Sequence, residues 1–294
     1  MPTHSSDFER EAADLIDRIV LESPLKAAGF IVTIYGDVVD PRGDVVWVGN
    51  LIETCARVGI SDTLVRTAVS RLVSSEQLVG ERAGRRSYYR LSDAAGKEFS
   101  HAAQILFAHR DERDWNFVHV PDSAGGELIP ALERAGYARL NSQMLVGPRK
   151  PDFAQPVLIF EAKVASDHAE LQAFAAGYWD LKPHAAAYQK FLGQFAPVEA
   201  LLADDLQPSA ETCLVIRLLL VHRFRSVVLR DPRLPPEALP DDWPGFEARQ
   251  LFERLYKLLS RSADEHVAET FVNGSGPLPK VTEATQARFG SVGP

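Results

Sequence analysis

Cysteine and methionine are scarce in this chain, with two of each among 294 residues. Cys55 and Cys213 both stand inside apolar helical patterns, so they read as small buried hydrophobes rather than a disulfide framework. No CxxC, no HExxH and no His/Cys cluster at metal-ligand spacing occurs, so neither a structural metal nor a metal cofactor is expected. No apolar run approaches the roughly 20 residues needed to cross a bilayer. The opening MPTHSSDFEREAADLI is acidic and has no apolar signal core. These absences predict a cytoplasmic chain without a secretory leader or a membrane partner. Core-forming residues are plentiful, at 46% hydrophobic, and the length suits two or three domains.

Charge is unevenly distributed. The formal net charge is −8, yet between Arg57 and Arg90 seven arginines face only Asp62, Glu76 and Glu81. That stretch carries +4 and the remainder −12, so a basic island sits in an acidic protein, as nucleic-acid binding requires. The island has a readable pattern. Leu51, Ile52, Cys55 and Val58 recur at helical spacing and Gly59 ends their run. Ser61 can then cap a second helix, with Asp62 in its first turn. Val65, Ala68, Val69 and Leu72 form the buried stripe of that helix. Thr63, Arg66, Thr67, Ser70 and Arg71 are left on or near its solvent face, and these side-chain types read base edges and phosphates. Leu78–Arg82 and Ser87–Leu91 read as strands around the turn Ala83-Gly84-Arg85-Arg86. Two helices and a basic hairpin predict a winged helix-turn-helix. Arg66, Thr67, Ser70 and Arg71 are expected in the major groove, with Ser61 and Thr63 near phosphate. Arg82, Arg85 and Arg86 belong to the wing. Tyr88 either packs or touches phosphate, and packing is favoured.

Around this island the pattern is mixed. Residues 5–21 form an amphipathic helix closed by Pro24. Leu25–Asp37 is read as the first helix of the reader, Asp40–Gly43 as a turn, and Val45–Val48 as a short strand able to pair with the wing. A linker helix runs from Asp93 to His109, and a charge run at 110–114 follows. Strand, helix, strand, strand and helix between Trp115 and Ala176 suggest a ferredoxin-like domain, with Gly136 as a helix C-cap. Three helices fill the last third, near 183–203, 211–229 and 246–259. The second of these is almost wholly apolar and is expected to be buried. The predicted class is therefore α+β. Its parts are an N-terminal extension (1–24), a winged-helix domain with linker helix (25–109), a ferredoxin-like domain (110–177), a helical C-terminal domain (178–271) and a disordered Gly/Pro-rich tail (272–294). Asp204, Asp205, Asp241, Asp242 and the Glu161/Lys163 pair are the available acid–base groups. None has a partner at a spacing that catalysis demands, so an enzyme is not expected.

Several motifs together resemble the PaaX family, bacterial transcriptional repressors of phenylacetate catabolism. At the front these are IVTIYGDVVDPRGDVVWVGNLI, GISDTLVRTAVSRLV and AGRRSYYRLSDAAGKEF. At the back they are YWDL and VHRFRSVVLRDPRLPPEALPDDWPGFEARQLFERLY. The resemblance spans roughly residues 25–265. It implies the three-part architecture, a homodimer on operator DNA, and release by an aryl-CoA thioester, typically phenylacetyl-CoA. Such a ligand needs cations for its phosphates and an apolar slot for its acyl group. His222, Arg225 and Ser226 share a helical face, Arg223 and Arg230 flank it, and Trp179 and Trp243 are candidate walls of a slot. The competing and favoured expectation is that these residues hold the C-terminal domain or the dimer together. An alternative function is a DNA-binding adaptor governed by a protein partner.

Overall fold

A computed structural model describes residues 3–107, 115–121, 126–148, 157–202 and 208–291. The described residues form helices and three small sheets, and the chain divides into two compact units. The first unit gathers residues 1–109, 191–226 and 248–294, and the second 110–190 and 227–247. The linear partition expected from the sequence is thereby replaced. Most of the supposed C-terminal domain is part of the same unit as the basic island. The charge run at 110–114 and the pair Asp204, Asp205 lie outside the described residues.

The first unit opens with α1 (Thr3–Glu22) and α2 (Ala27–Ile34). The helical path of α2 continues through one π turn, Tyr35–Val39, and a 3₁₀ turn, Asp40–Arg42. Gly43 (φ +102°) then reverses the chain into β1 (Val45–Trp47). Next come α3 (Val48–Ala56) and α4 (Asp62–Ser74). Gly59 (φ +77°) ends α3, with Ile60 N–H bonding Cys55 O and Gly59 N–H bonding Ala56 O, a Schellman closure that only a left-handed residue completes. The hairpin β2 (Leu78–Ala83) and β3 (Arg86–Leu91) turns on Gly84-Arg85 alone. β1 pairs antiparallel with β3, Trp47 opposite Tyr88, giving sheet order β1-β3-β2. α5 (Asp93–Phe107) follows.

The rest of this unit comes from late in the chain. α8 (Lys182–Leu202), α9 (Ala210–Val228) and α10 (Pro244–Thr270) contribute their residues 191–202, 210–226 and 248–270. From Cys213 to Val221 every side chain of α9 is at most 3% exposed, as an all-round apolar helix should be. Arg217 is the exception in kind, a guanidinium 1% exposed. It bonds Asp37 Oδ2 (2.9 Å) and Asp264 Oδ1 (2.7 Å), and Arg42 reaches the same Asp264 oxygen at 2.7 Å. The π turn brings Asp37 to this cluster, where the Tyr256 hydroxyl also donates to it at 3.0 Å.

The expected disordered tail is instead ordered to Ser291. It forms the two-residue strands β8 (Val272–Asn273) and β9 (Gly276–Pro277), then α11 (Glu283–Ser291). Arg288 is 7% exposed and donates to the carbonyls of Gly36 (2.8 Å) and Asp37 (3.2 Å). The Thr282 hydroxyl donates to Pro41 O, and Arg42 Nε donates to Pro279 O. A Gly/Pro-rich composition points to disorder. Buried charge–dipole bonds to the 36–42 turn, which no compositional measure sees, give the tail its place.

The second unit is built on one antiparallel sheet. β4 (Trp115–His119), β5 (Ala138–Arg139), β6 (Met144–Gly147) and β7 (Leu158–Ala162) run in the order β5-β6-β4-β7. α6 (Leu128–Arg134) stands between β4 and β5, and Val118, Val120, Leu128, Leu132, Tyr137 and Leu145 make the core beneath it. Gly136 (φ +94°) closes α6 as expected. α7 (His168–Tyr178) follows the fourth strand, whereas a ferredoxin-like order has its second helix before that strand. After α9 the chain turns at Leu229-Arg230, passes a left-handed Arg233 (φ +55°) and makes one 3₁₀ turn, Pro236–Ala238; Asp231 accepts a 2.6 Å bond from the Tyr188 hydroxyl.

Candidate nucleic-acid interface

α4 is positioned by its apolar stripe. Val65, Ala68, Val69 and Leu72 are all buried, and the helix packs on α2 and α3. Ser61 caps it, accepting from Leu64 N–H at 3.4 Å. The opposite face is open: Ser61, Thr63, Arg66, Thr67, Ser70 and Arg71 are all exposed. The Thr67 hydroxyl donates to Thr63 O (2.8 Å) within the helix, and Arg66 pairs with Asp62 at 2.6 Å. Both members of that pair are more than half exposed, so water and salt weaken it and the guanidinium is easily surrendered to a stronger anion. Ser87 and Tyr89 of β3 face α4 across a cleft of about 470 Å³, also lined by Arg66, Ser70, Ser74 and Gly80.

The hairpin carries Arg82, Arg85 and Arg86, all exposed. Arg86 lies over the Trp47 ring, 4.6 Å from its centroid. Arg57 pairs with Glu211 (3.3 Å) and Arg90 with Glu81 (3.3 Å), both solvent-accessible pairs that water and salt weaken in the same way. Tyr88 is 7% exposed and packs, the alternative favoured from sequence. Its neighbour Tyr89 faces the cleft. Sequence reasoning missed Tyr89 and Trp47; the alternation along β3 was the available signal for Tyr89, since residues 87 and 89 must share a face.

The residues expected to hold an effector are divided. His222, Arg223 and Arg225 belong to the first unit, Trp179 and Arg230 to the second. His222 Nδ1 is hydrogen-bonded to Thr33 Oγ1 at 2.8 Å, and its ring meets Phe30 edge-on. Burial, then the charges of Arg223 and Arg225, push its pKa down to about 4. Arg223 donates to the carbonyls of Ile19 (3.1 Å) and Ser23, and Arg225 to Gly29 O at 3.4 Å. These three therefore tie α9 to α1 and α2. Ser226 donates back to Arg223 O. In the second unit Trp179 meets Trp115 at a tilt and Phe174 edge-on, its indole N–H donating to Gly136 O at 2.9 Å, while Arg230 is exposed. Trp243 is buried edge-on to Tyr188. Among the candidate acid–base groups, Asp241 accepts from Gln172 Nε2 (3.2 Å), and Asp242, Glu161 and Lys163 are exposed. Among the described residues no cluster of His, Cys, Asp and Glu is arranged to hold a metal, and no helix is long and apolar enough to cross a membrane.

Two family models match: the PaaX-like protein over residues 26–95, and the PaaX-like protein C-terminal domain over 179–269. The chain is 31% identical over 300 residues to the transcriptional repressor PaaX of Escherichia coli K12, covering 94% of both chains. A solved structure, the uncharacterized protein Rv0674 from Mycobacterium tuberculosis, is 23% identical with a TM-score of 0.47, covering 74% of this chain and 89% of that one.

Proposed function

Because the chain belongs to the PaaX family, we propose that it is a transcriptional repressor whose segment from α2 to β3 is a winged helix-turn-helix reading operator DNA. The observation that carries this reading is the open polar face of α4, set beside a hairpin of exposed arginines inside an otherwise acidic chain. In this reading α4 enters the major groove. Arg66, Thr67, Ser70 and Arg71 face base edges, Ser61 and Thr63 stand near phosphate, and Arg82, Arg85 and Arg86 follow the backbone or minor groove. A homodimer sets two such helices about 34–36 Å apart on a palindromic site.

The regulated function is aromatic-acid catabolism, and the ligand that releases the operator is an aryl-CoA thioester such as phenylacetyl-CoA; the family resemblance supports both. The sheet-based second unit is read as a ferredoxin-like variant on its strand order. His222, Arg223 and Arg225 serve the effector response through the α1 and α2 contacts they hold rather than as free phosphate ligands.

Electrophoretic mobility shift on a duplex from upstream of its own gene, with and without phenylacetyl-CoA, tests the reading. Specific binding that the thioester abolishes is expected. Specific binding indifferent to every aryl-CoA favours the adaptor alternative, and no preference over random duplex sinks the repressor reading.

A further inference from the structure

Arg86 is held differently from the other exposed arginines of the hairpin. β1 ends at Trp47, directly opposite Tyr88 of β3, so the indole stands one pleat from Arg86 on the same strand pair. The Arg86 guanidinium lies over that ring, 4.6 Å from its centroid. The ring is in turn laid flat against Gly49 in the first turn of α3: a Cβ on Gly49 would overlap the Trp47 six-membered ring. Nothing in the backbone of Gly49 asks for glycine, because it sits in a regular helix without a positive φ. Glycine is also a poorer helix former than alanine. The space given to the indole is the feature that accounts for it.

We propose that Trp47, seated on Gly49, is a positioning residue that pre-organises Arg86 as the wing's fixed DNA contact. This inference rests on the DNA-reading function proposed above. A long side chain free in solvent must be ordered when it meets a phosphate, and that entropy is subtracted from affinity. A guanidinium already resting on an aromatic face, still exposed, has less to lose. Cation–π contact at an exposed site corresponds to a preference of about two- to fivefold. Arg85, at the turn beside Gly84, is exposed, and it is Arg86 that lies over the Trp47 ring.

The test uses the full chain and a mixed-sequence 30-base-pair duplex, since a backbone contact does not need the operator. Affinities are measured from 50 to 300 mM salt for wild type, Trp47→Leu, Trp47→Phe, Gly49→Ala, Arg86→Ala and the double variant Trp47→Leu/Arg86→Ala. Arg86→Ala is expected to weaken binding and to lower the salt slope by about one phosphate contact's share, 0.9. Trp47→Leu should weaken binding about two- to fivefold with the slope unchanged, since every charge is retained. Trp47→Phe should restore most of the loss. Gly49→Ala should behave as Trp47→Leu, although alanine is the better helix former. The double variant should be no weaker than Arg86→Ala alone. Wild-type affinity for both Trp47→Leu and Gly49→Ala overturns the inference, as does full additivity in the double variant. Thermal melts separate these outcomes from misfolding, and if Trp47→Leu does not fold, Gly49→Ala and Trp47→Phe decide. Failure of wild type to bind any duplex would refute the DNA-reading function itself, a result distinguishable from failure of the positioning role.

Discussion

His222 shows how one residue's chemistry follows from its neighbours. An imidazole titrates near pH 6.5 when free; here burial, with Arg223 and Arg225 adding to it, lowers the value to about 4. The folded state thus prefers the neutral ring, and the unfolded chain binds the proton more tightly between these limits. Stability is then full above about pH 6.5 and falls as pH drops from there towards 4, by roughly 3 kcal/mol in all. Urea titrations at pH 4.5, 5.5 and 7.5 should show this fall in wild type and a flatter profile in His222→Gln. Equal profiles would mean that the ring is not held neutral by the fold.

At the scale of elements, the proposed function divides the reading of DNA between α4 and the β2–β3 hairpin. Groove-facing side chains of a helix discriminate bases, at about 1–3 kcal/mol for a bidentate arginine; cations on a wing meet phosphates that are alike at every sequence. Arg66→Ala is therefore expected to erase the preference for operator over random duplex, and Arg85→Ala to weaken both equally. Titrations of each variant on the two duplexes distinguish the effects, and an unchanged preference in Arg66→Ala would remove that residue from the base-reading set. This division was legible in the sequence because the apolar stripe of α4 leaves only one other face. The partner of Arg86 was not, since Trp47 precedes it by 39 positions and only the β1–β3 register brings them together.

At the scale of the whole chain, the buried cluster of Asp37, Arg42, Arg217, Asp264 and Arg288 joins the helix before the basic island to α9, α10 and α11. Leaving a buried charge without its partner costs about 3–5 kcal/mol, far more than an exposed pair is worth. Ending the chain after Phe271 removes Arg288 and the Pro279 and Thr282 contacts to the 40–42 turn. That truncation is expected to lower Tm by about 5 °C or more by differential scanning calorimetry. A disordered appendage would leave Tm where it was.

Local pattern alone determined much of this protein. Apolar spacing placed α4, α9 and the hairpin within a residue or two, Ser61 and Gly59 marked their caps and turn, and the charge count singled out the basic island. Periodicity reports which face of an element is buried, and that face is a property of neighbours in sequence. Tertiary structure alone decided what buries it. It set late helices beside the first ones, drew Arg217 into the interior against Asp37 and Asp264, and ordered a tail whose composition resembles that of a free one. Those outcomes depend on charges separated by as many as 251 residues, Arg288 and Asp37, meeting where water is excluded, and there an ion pair's strength depends on geometry and not on sequence distance.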